Sequence, residues 1–492
     1  DARVLPAFHN WLLTVHVMSP IPVARPDVER NQSESLAHFL SHPAAANPMP
    51  ATQEQATTAF SSPYWSDTSQ RPMAEAIHGR QMGNYLERFR PNPYTRRPST
   101  GELASLRGVE TIVICPNWFD DHVIHRCMSP LTHGLRKSGG RAVRIYRELL
   151  RGHTRPATDW QDQTTDIFHS EQDPITDVAS ICRELRELKI DFAFHPEVVP
   201  INPSSWMASE RVARVQATGY GFPVTTGLGT MDYFVGGRMV EPESTTGADY
   251  TERLVLLPGL GVSTTPPPIP EVLRTRPVDD DQVRICATAS KAKLGTEMLA
   301  AWNAVQEGEV KTSLTFFSNM SPSEAAHRSG AIGRLLCHGE AELICGIPRN
   351  DLVASMVDAD LYLDSFPFGG FNSLVEALVF GVPVVTLEGQ QARSRFGAAI
   401  LRKLGLPSFL IAHSYQEYVA AAKRLIRDAG LRQGIRDQLG SPEQVLQGLA
   451  DPDMSAHFDA AVTWMRDQGP KGRNDLPPVY IEAGETPRVL SV

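Results

Sequence analysis

The sequence predicts an α/β protein of two doubly wound halves that face a cleft, preceded by a helical appendage. Three observations carry this reading. From Val109 onward, short β-rich runs alternate with amphipathic helical ones, the pattern of parallel βαβ units. The alternation stops at Thr264-Thr-Pro-Pro-Pro-Ile-Pro270 and then restarts. No repeat of fixed period runs through the chain, which excludes a solenoid.

The elements follow in order. In residues 1–105, Pro, Ser and Asn clusters (Ala44 to Pro50, Ser61 to Ser69) separate two amphipathic stretches, Ser33–Leu40 and Met73–Phe89, so a helical and irregular N-terminal region is expected. Residues 106–262 hold the first Rossmann-like half, with strands at Glu110–Cys115, Ala142–Tyr146 and Ile190–Phe194 and a helix at Ile175–Leu188. Residues 263–281 read as a linker, because proline lacks the amide donor and fixes φ; Asp279 to Asp281 is expected as a solvated turn. In residues 282–450, strands Val283–Ala287, Ser313–Phe317, Glu342–Cys345, Asp360–Leu363 and Pro383–Leu387 alternate with helices. Those helices are expected at Thr296–Gln306, Ser323–Leu336, Asn350–Val357, from about Asn372, Gln391–Lys403 and Gln416–Ala429. Residues 451–492 form a helical tail, whose helix Asp451–Gln468 is expected to pack back across the hinge.

The chain has 492 residues, room for about three domains. Its composition, 41% hydrophobic and 21% charged, excludes a mainly disordered protein. Lys+Arg 47 against Asp+Glu 56 leaves a net charge of −9, with no basic field to gather phosphate backbones, so no nucleic-acid partner is expected. Cys115, Cys127, Cys182, Cys286, Cys337 and Cys345 form no C-x-x-C pair and no zinc spacing; reduced thiols are expected. No apolar run approaches the roughly 18 residues that span a bilayer, and Asp1-Ala-Arg-Val-Leu-Pro has no signal-peptide pattern. A cytoplasmic location without a membrane span is expected, and the missing initiator Met predicts a longer N-terminus.

Chemistry concentrates in Asp364-Ser-Phe-Pro-Phe-Gly-Gly-Phe-Asn-Ser-Leu-Val-Glu-Ala-Leu-Val-Phe-Gly-Val-Pro-Val-Val385. A strand ends near Asp364, Gly369 and Gly370 let the backbone approach a ligand, and Asn372 and Ser373 stand where a helix begins. Free amides and the helix dipole make such a start an anion site. Glu376 lies one turn on, placed to accept from a ribose diol, and the whole suits a nucleoside diphosphate. Ser373-Leu-Val-Glu376 also matches an S-x-x-E capping box, so the residues alone leave both readings open.

The Phe-Pro-Phe-Gly loop, the helix Asn372 to Phe380 and the Gly-Val-Pro-Val-Val strand resemble the nucleotide-sugar half of the O-GlcNAc-transferase family of inverting glycosyltransferases. They look closest to the bacterial cytoplasmic adhesin-type N-glycosyltransferases, since Phe371-Asn372-Ser373 stands where the eukaryotic-type enzymes carry His-Thr-Thr. The resemblance extends over residues 105–440. Val215-Gln216, Gly221-Phe-Pro-Val-Thr-Thr-Gly227, Met231-Asp-Tyr233 and Tyr250-Thr-Glu-Arg-Leu-Val-Leu-Leu-Pro258 follow the family's order, and so does Ala287-Thr-Ala-Ser-Lys-Ala-Lys-Leu-Gly-Thr-Glu-Met-Leu-Ala-Ala-Trp302. By its spacing to Trp302, Lys293 resembles the family's lysine and Ser290 the small residue three positions earlier; Lys291 competes for the role, and a solvated lysine at a helix entrance is the plain alternative. A fixed ammonium there neutralises a departing diphosphate. In Cys115-Pro-Asn-Trp-Phe-Asp-Asp-His-Val-Ile-His-Arg126, His122 resembles the family's acceptor-side histidine, as base or orienting group, against a capping role. His125 and His133 read as capping or surface residues; His195, at a strand end, is a further candidate for the cleft.

The resemblance implies a GT-B enzyme that moves a hexose, with UDP-glucose favoured over UDP-GlcNAc, from a UDP-sugar to an Asn or Ser/Thr side chain of a protein, with inversion. Gly369, Gly370, Phe371, Asn372 and Ser373 hold the diphosphate, Glu376 the ribose and Lys293 the leaving charge, with Ser290 and Gln216 also in the substrate site. Asp358-Ala-Asp360 opens a strand and resembles no metal site, so no cofactor or metal is expected. A net acidic chain that binds a diphosphate needs local positive features. The rivals are a UDP-sugar epimerase or small-molecule glycosyltransferase on the same fold, and a non-catalytic UDP-sugar-binding protein.

Overall fold

The computed structural model describes residues 103–147, 155–169, 174–199, 203–242, 247, 249–266, 282–291, 293–471 and 476–490. The expected helices at 33–40 and 73–89, the Asp279 to Asp281 turn and the linker from 267 onward lie outside the described residues.

The N-terminal half runs β1 (Thr111–Ile114), α1 (Val123–Lys137), β2 (Arg141–Arg147), β3 (Thr164–His169), α2 (Pro174–Glu187), β4 (Ile190–His195), α3 (Pro203–Ala208), β5 (Ala213–Gly219), β6 (Tyr233–Gly237) and β7 (Arg253–Leu257). The C-terminal half runs β8 (Gln282–Thr288), α4 (Thr296–Gln306), β9 (Lys311–Ser318), α5 (Pro322–Leu335), β10 (Glu340–Cys345), α6 (Arg349–Val357), β11 (Leu361–Leu363), α7 (Asn372–Val379), β12 (Val384–Leu387), α8 (Phe396–Lys403), β13 (Ile411–Ala412), α9 (Tyr415–Arg427), α10 (Ala429–Leu439) and α11 (Pro442–Leu449). Then follow α12 (Met454–Gln468), β14 (Val479–Tyr480) and β15 (Arg488–Val489).

Both sheets are doubly wound. The second has the strand order β10-β9-β8-β11-β12-β13, which is 3-2-1-4-5-6 in its own numbering, and every pair in it is parallel. The first repeats this order from β3 to β7 and adds β14 and β15 at the β7 edge. Two Rossmann-like domains therefore face each other in the GT-B arrangement. In such sheets ligands bind beyond the carboxyl ends of the strands where the order reverses. Here those switch points lie between β1 and β4 and between β8 and β11.

Parallel strands covered on both faces are apolar on both faces. In β1, Val113 belongs to the large core that continues into the second half, while Ile112 and Ile114 pack with Val178, Ile181 and Leu185 of α2. No helix among the described residues is long and apolar enough to cross a membrane.

The tail departs from a purely helical expectation. α12 returns to the first half, where Phe458 meets Phe194 edge-on with ring centroids 4.9 Å apart and the Tyr233 hydroxyl donates to the Gly469 carbonyl at 2.8 Å. β14 then pairs in parallel with β7, so residues 479–489 complete the first sheet. The helix expected from Gln416 to Ala429 is α9; it stops at Arg427, because Asp428 leaves helical geometry and its carboxylate caps the following α10 at the Leu431 amide. Likewise Gln391–Lys403 is a 3₁₀ turn at Ala392–Ser394 followed by α8.

Candidate functional site

The loop and helix start expected to hold the donor are built on the β8/β11 switch point. β11 ends at Leu363, and the next residue, Asp364, is fully buried. Its Oδ1 accepts the Gly370 amide at 2.7 Å and its Oδ2 accepts the Thr386 hydroxyl at 2.8 Å, so the carboxylate folds the following loop back on itself. The Tyr418 hydroxyl donates to the Asp364 carbonyl oxygen at 2.8 Å, and Trp302 Nε1 donates to that hydroxyl at 3.3 Å. The Trp302 of the sequence motif thus acts as a buttress. Glycine is required at 370, where an added Cβ would stand 2.9 Å from Asp364 Oδ1 and 3.3 Å from Ser373 Oγ.

The loop delivers the start of α7. Phe371 is its N-cap, with no side-chain cap bond. The capping-box reading of Ser373 and Glu376 therefore fails in three dimensions. Ser373 lies inside the helix, where its Oγ accepts from the Tyr362 hydroxyl at 3.1 Å. The first amide of the helix given a backbone acceptor is that of Val375, bonded to the Phe371 carbonyl. An uncapped first turn keeps donors and the positive end of the dipole for an anion.

Across the switch point, the loop after β8 supplies Lys293. Its Nζ donates to the Gly369 carbonyl oxygen at 2.6 Å and stands 4.5 Å from the centre of the Phe368 ring. Burial lowers its pKa to about 8, against the opposing pull of the Asp364 carboxylate. Burial likewise raises Asp364 to about 6. The Ser290 hydroxyl oxygen is buried beside this loop without a hydrogen-bond partner among the described residues, and the Ser290 carbonyl holds the Lys293 amide at 2.8 Å. Lys291 anchors the same turn through its backbone amide, bonded to Asn319 Oδ1 at 2.8 Å. One turn into α7, Glu376 Oε1 accepts from Arg349 Nη2 at 3.0 Å, and Arg349 opens α6. Lys293, Ser290, Gly369, Gly370, Phe371, Asn372, Ser373 and Glu376 are thus brought together around one helix start.

The two halves meet at this point. Cys127, in the first turns of α1, donates through Sγ to Asn372 Oδ1 at 3.6 Å; burial pushes its thiol up to about 12, so it stays protonated. The Phe396 ring stands 5.1 Å from both the Phe371 and the Tyr220 rings, and Arg395 Nε donates to the Val240 carbonyl at 2.9 Å.

In the first half, His122 is the N-cap of α1, with its Nδ1 accepting the Ile124 amide at 3.3 Å. Burial, then Arg126 and His125, lower its pKa to about 4. A ring nitrogen that accepts carries no hydrogen, so the neutral ring holds its proton on Nε2 and presents a donor there.

The remaining sequence candidates separate from the site. Gln216 is fully buried in β5, its carboxamide committed to the amides of Val212 and Ala213 and to the carbonyls of Glu210 and Thr230. The Thr225-Thr226 pair of its motif donates to the buried Glu252 carboxylate. These hydrogen bonds hold parts of the first half together. His125 is not a surface residue: it is buried edge-on against Trp118, with Nε2 3.0 Å from Asp159 Oδ1. Asp358 ends α6 and Asp360 accepts the Arg284 amide at 3.0 Å. His195 is wholly buried, and among the described residues neither ring nitrogen has a hydrogen-bond partner.

Sequence reasoning passed over Glu197. It is buried at the β1/β4 switch point, where Asn117 Nδ2 donates to its Oε1 at 2.8 Å and Cys115 Sγ lies 4.0 Å from the same oxygen. The available signal was a carboxylate two residues beyond a strand end, His195-Pro-Glu197.

No family model matches the chain. Among curated relatives, the SPINDLY protein of Arabidopsis thaliana, named as a probable UDP-N-acetylglucosamine:peptide N-acetylglucosaminyltransferase, is 28% identical over 351 residues, 67% of this chain and 37% of its own. Its Petunia hybrida counterpart is 28% identical over 271 residues, 53% of this chain and 29% of its own. A UDP-glucose:protein N-beta-glucosyltransferase of Actinobacillus pleuropneumoniae is 25% identical over 226 residues, 44% of this chain and 35% of its own. The chain spans about a third of the length of the curated relatives it matches. Among solved structures, a mutant O-GlcNAc transferase of Thermobaculum terrenum superposes over 89% of this chain and 82% of its own, with a TM-score of 0.62 and 21% identity, which shows a shared fold.

Proposed function

We propose, on the premise that the chain belongs to the O-GlcNAc-transferase family of inverting glycosyltransferases, that it transfers a hexose from a UDP-sugar to a protein side chain. The observation that carries this reading is the uncapped start of α7 behind Gly369 and Gly370, with Lys293 across the same switch point. Phosphate oxygens of a UDP-sugar sit at the first-turn amides of α7, with Asn372 and Ser373 beside them, while Glu376 receives the ribose hydroxyls. The acceptor attacks the anomeric carbon from the face opposite the diphosphate; the bond to the phosphate oxygen breaks, and UDP leaves with the electron pair. Lys293 neutralises the charge that develops on it, which is worth most in a site sheltered from water. His122 presents Nε2–H to orient the acceptor.

Because an ammonium and a helix start supply this positive charge, the reaction is proposed to need no metal. UDP-glucose is the favoured donor, supported by the Phe-Pro-Phe-Gly loop with Asn372 and by the likeness to the Actinobacillus protein. The SPINDLY likeness supports UDP-GlcNAc as the competing donor. Incubation of the purified chain with both donors and with peptides carrying Asn-x-Ser/Thr, Ser or Thr, read by mass spectrometry, decides donor and acceptor together. A chain that binds no UDP, measured by calorimetry, removes the whole reading, and a sugar altered without any acceptor favours an epimerase.

A further inference from the structure

The geometry points to Glu197 as the base that takes the acceptor's proton, a role that rests on the transfer reaction proposed above. By strand order, the β1/β4 crevice in the first half is the counterpart of the β8/β11 crevice that holds the donor loop in the second. Glu197 follows β4, while Cys115 and Asn117 follow β1, so the cluster sits across the N-terminal switch point. Asn117 fixes one carboxylate oxygen, Oε1; Oε2 has no partner among the described residues.

A chain of contacts links the position to the donor loop. Gly221, after β5, closes on Glu197, since a Cβ added there would meet the Pro196 carbonyl oxygen at 2.3 Å and Glu197 Cβ at 2.8 Å. The adjacent Tyr220 packs on Phe396, and Phe396 packs on Phe371 of the donor loop. Asn117 and His122 share the loop after β1, and Cys127 just beyond it reaches Asn372. Two residues before Glu197, the fully buried His195 ring has no hydrogen-bond partner for either nitrogen among the described residues.

In the step itself, the acceptor N–H or O–H gives its proton to Glu197 Oε2 as its heavy atom bonds to the anomeric carbon. The sugar–phosphate bond breaks with its electron pair on UDP, and the carboxylic acid later releases the proton to solvent. Atoms and charge balance without a further reactant. Burial raises the Glu197 pKa to about 7, with the Asn117 hydrogen bond pulling the other way, which poises the group for proton transfer near neutrality. The groups facing it stay uncharged: burial, then the Glu197 carboxylate, hold the Cys115 thiol well above its ordinary range, and burial lowers His195 to about 3. Arg144 acts on Cys115 from β2 and is paired bidentately with Asp166.

The test compares the parent chain with Glu197→Gln, Glu197→Asp and Asn117→Ala. UDP affinity by calorimetry, UDP-glucose hydrolysis without acceptor, and transfer to peptide are measured from pH 5 to 9. Glu197→Gln is expected to lower acceptor kcat/KM at least about 100-fold, the usual size of a lost general base, and to slow hydrolysis, in which water is the acceptor, while UDP affinity is unchanged. In the parent, kcat/KM rises through about pH 7, and Asn117→Ala moves that limb upward by removing the bond that favours the ionised form. Glu197→Asp restores part of the rate with the limb retained. Full transfer by Glu197→Gln overturns the assignment, as does a loss of UDP affinity that parallels the loss of transfer. Should Glu197→Gln fail to fold, an unshifted limb in Asn117→Ala overturns it instead. A parent chain that binds no UDP sinks the transfer reading and this inference together, whereas a parent that transfers while the limb stays fixed sinks only the latter.

Discussion

Lys293 Nζ donates to the carbonyl oxygen of Gly369 at 2.6 Å, which ties the cation after β8 to the loop after β11. The ammonium is thereby held over Phe368 before any ligand arrives, and transition-state charge is stabilised best by groups that need not reorganise. Lys293→Met is expected to reduce kcat about 100- to 1,000-fold with a small change in KM, read by steady-state transfer assays. Only the charged form serves, so kcat/KM falls as pH rises through about 8 in the free enzyme. A variant at full rate assigns the cation elsewhere, with Lys291 first in line.

Gly370 and Gly333 give opposite outcomes for the same change. Alanine at 370 drives a Cβ to within 2.9 Å of Asp364 Oδ1, the atom that holds the loop, so Gly370→Ala is expected to weaken UDP binding at least about tenfold by calorimetry, one misplaced hydrogen bond's worth. Gly333 sits on the exposed face of α5 with nothing within 4 Å of an added Cβ. There alanine gains helix propensity, and Gly333→Ala should raise stability by about 0.5–1 kcal/mol in denaturant melts without touching UDP affinity.

The donor site was legible because its residues are nearly consecutive: one loop and one helix start carry Gly369, Gly370, Asn372, Ser373 and Glu376. The proposed acceptor side was not, since Asn117 and Glu197 are 80 residues apart and only the 3-2-1-4 strand order brings them together. The strands of the second half stand out as apolar runs such as Val283–Ala287 inside β8. β5 hides because Arg214, Gln216 and Thr218 alternate through it; Gln216 becomes buriable only through carbonyls and amides that the fold supplies. The two-residue β14 has no local signal, and the open edge of β7 calls it into being. Periodicity sees local pattern; edges and switch points are properties of the assembled sheet.

That edge makes the tail structural. Val479 and Ile481 are buried, and the Ile481 amide donates to the Leu256 carbonyl at 2.9 Å. Ile481→Ala is expected to cost about 2–5 kcal/mol in urea unfolding, the range for truncating a buried aliphatic side chain. A chain ending at residue 475 leaves the β7 edge unpaired and should aggregate at concentrations where the parent stays monodisperse by light scattering. Unchanged melting in both variants shows that β14 is an ornament of the sheet.

Metal chelation separates two ways of neutralising a diphosphate. If Lys293 and the first turn of α7 carry that charge, transfer in excess EDTA should match transfer in magnesium or manganese. Among the described residues, Asp120, His125 and Asp159 place ligand atoms within 4.8 Å of one another, but the two carboxylates already accept from Thr158 and Ser129. Asp120→Asn should therefore keep full transfer in EDTA. An EDTA-sensitive rate restored by manganese contradicts the metal-free mechanism.

Stability should record the cost of burying Glu197. Its folded pKa of about 7 lies above the ordinary carboxyl value, so between roughly pH 4 and 7 the native state binds more protons than the unfolded chain. Stability associated with this group is therefore fully present below the unfolded pKa and declines as pH rises through about 7. A shift of this size corresponds to a few kcal/mol, on the order of 2–4. Glutamine keeps the acceptor oxygen for Asn117 and never ionises, so Glu197→Gln should match the parent in melts near pH 4 and exceed it at pH 8. The same substitution is expected to lower transfer at least about 100-fold, and a variant that gains stability as it loses activity is the signature of a buried charge kept for function. Parallel melting curves at both pH values place the carboxylate in a solvated setting, and its proposed poise near neutrality falls with them.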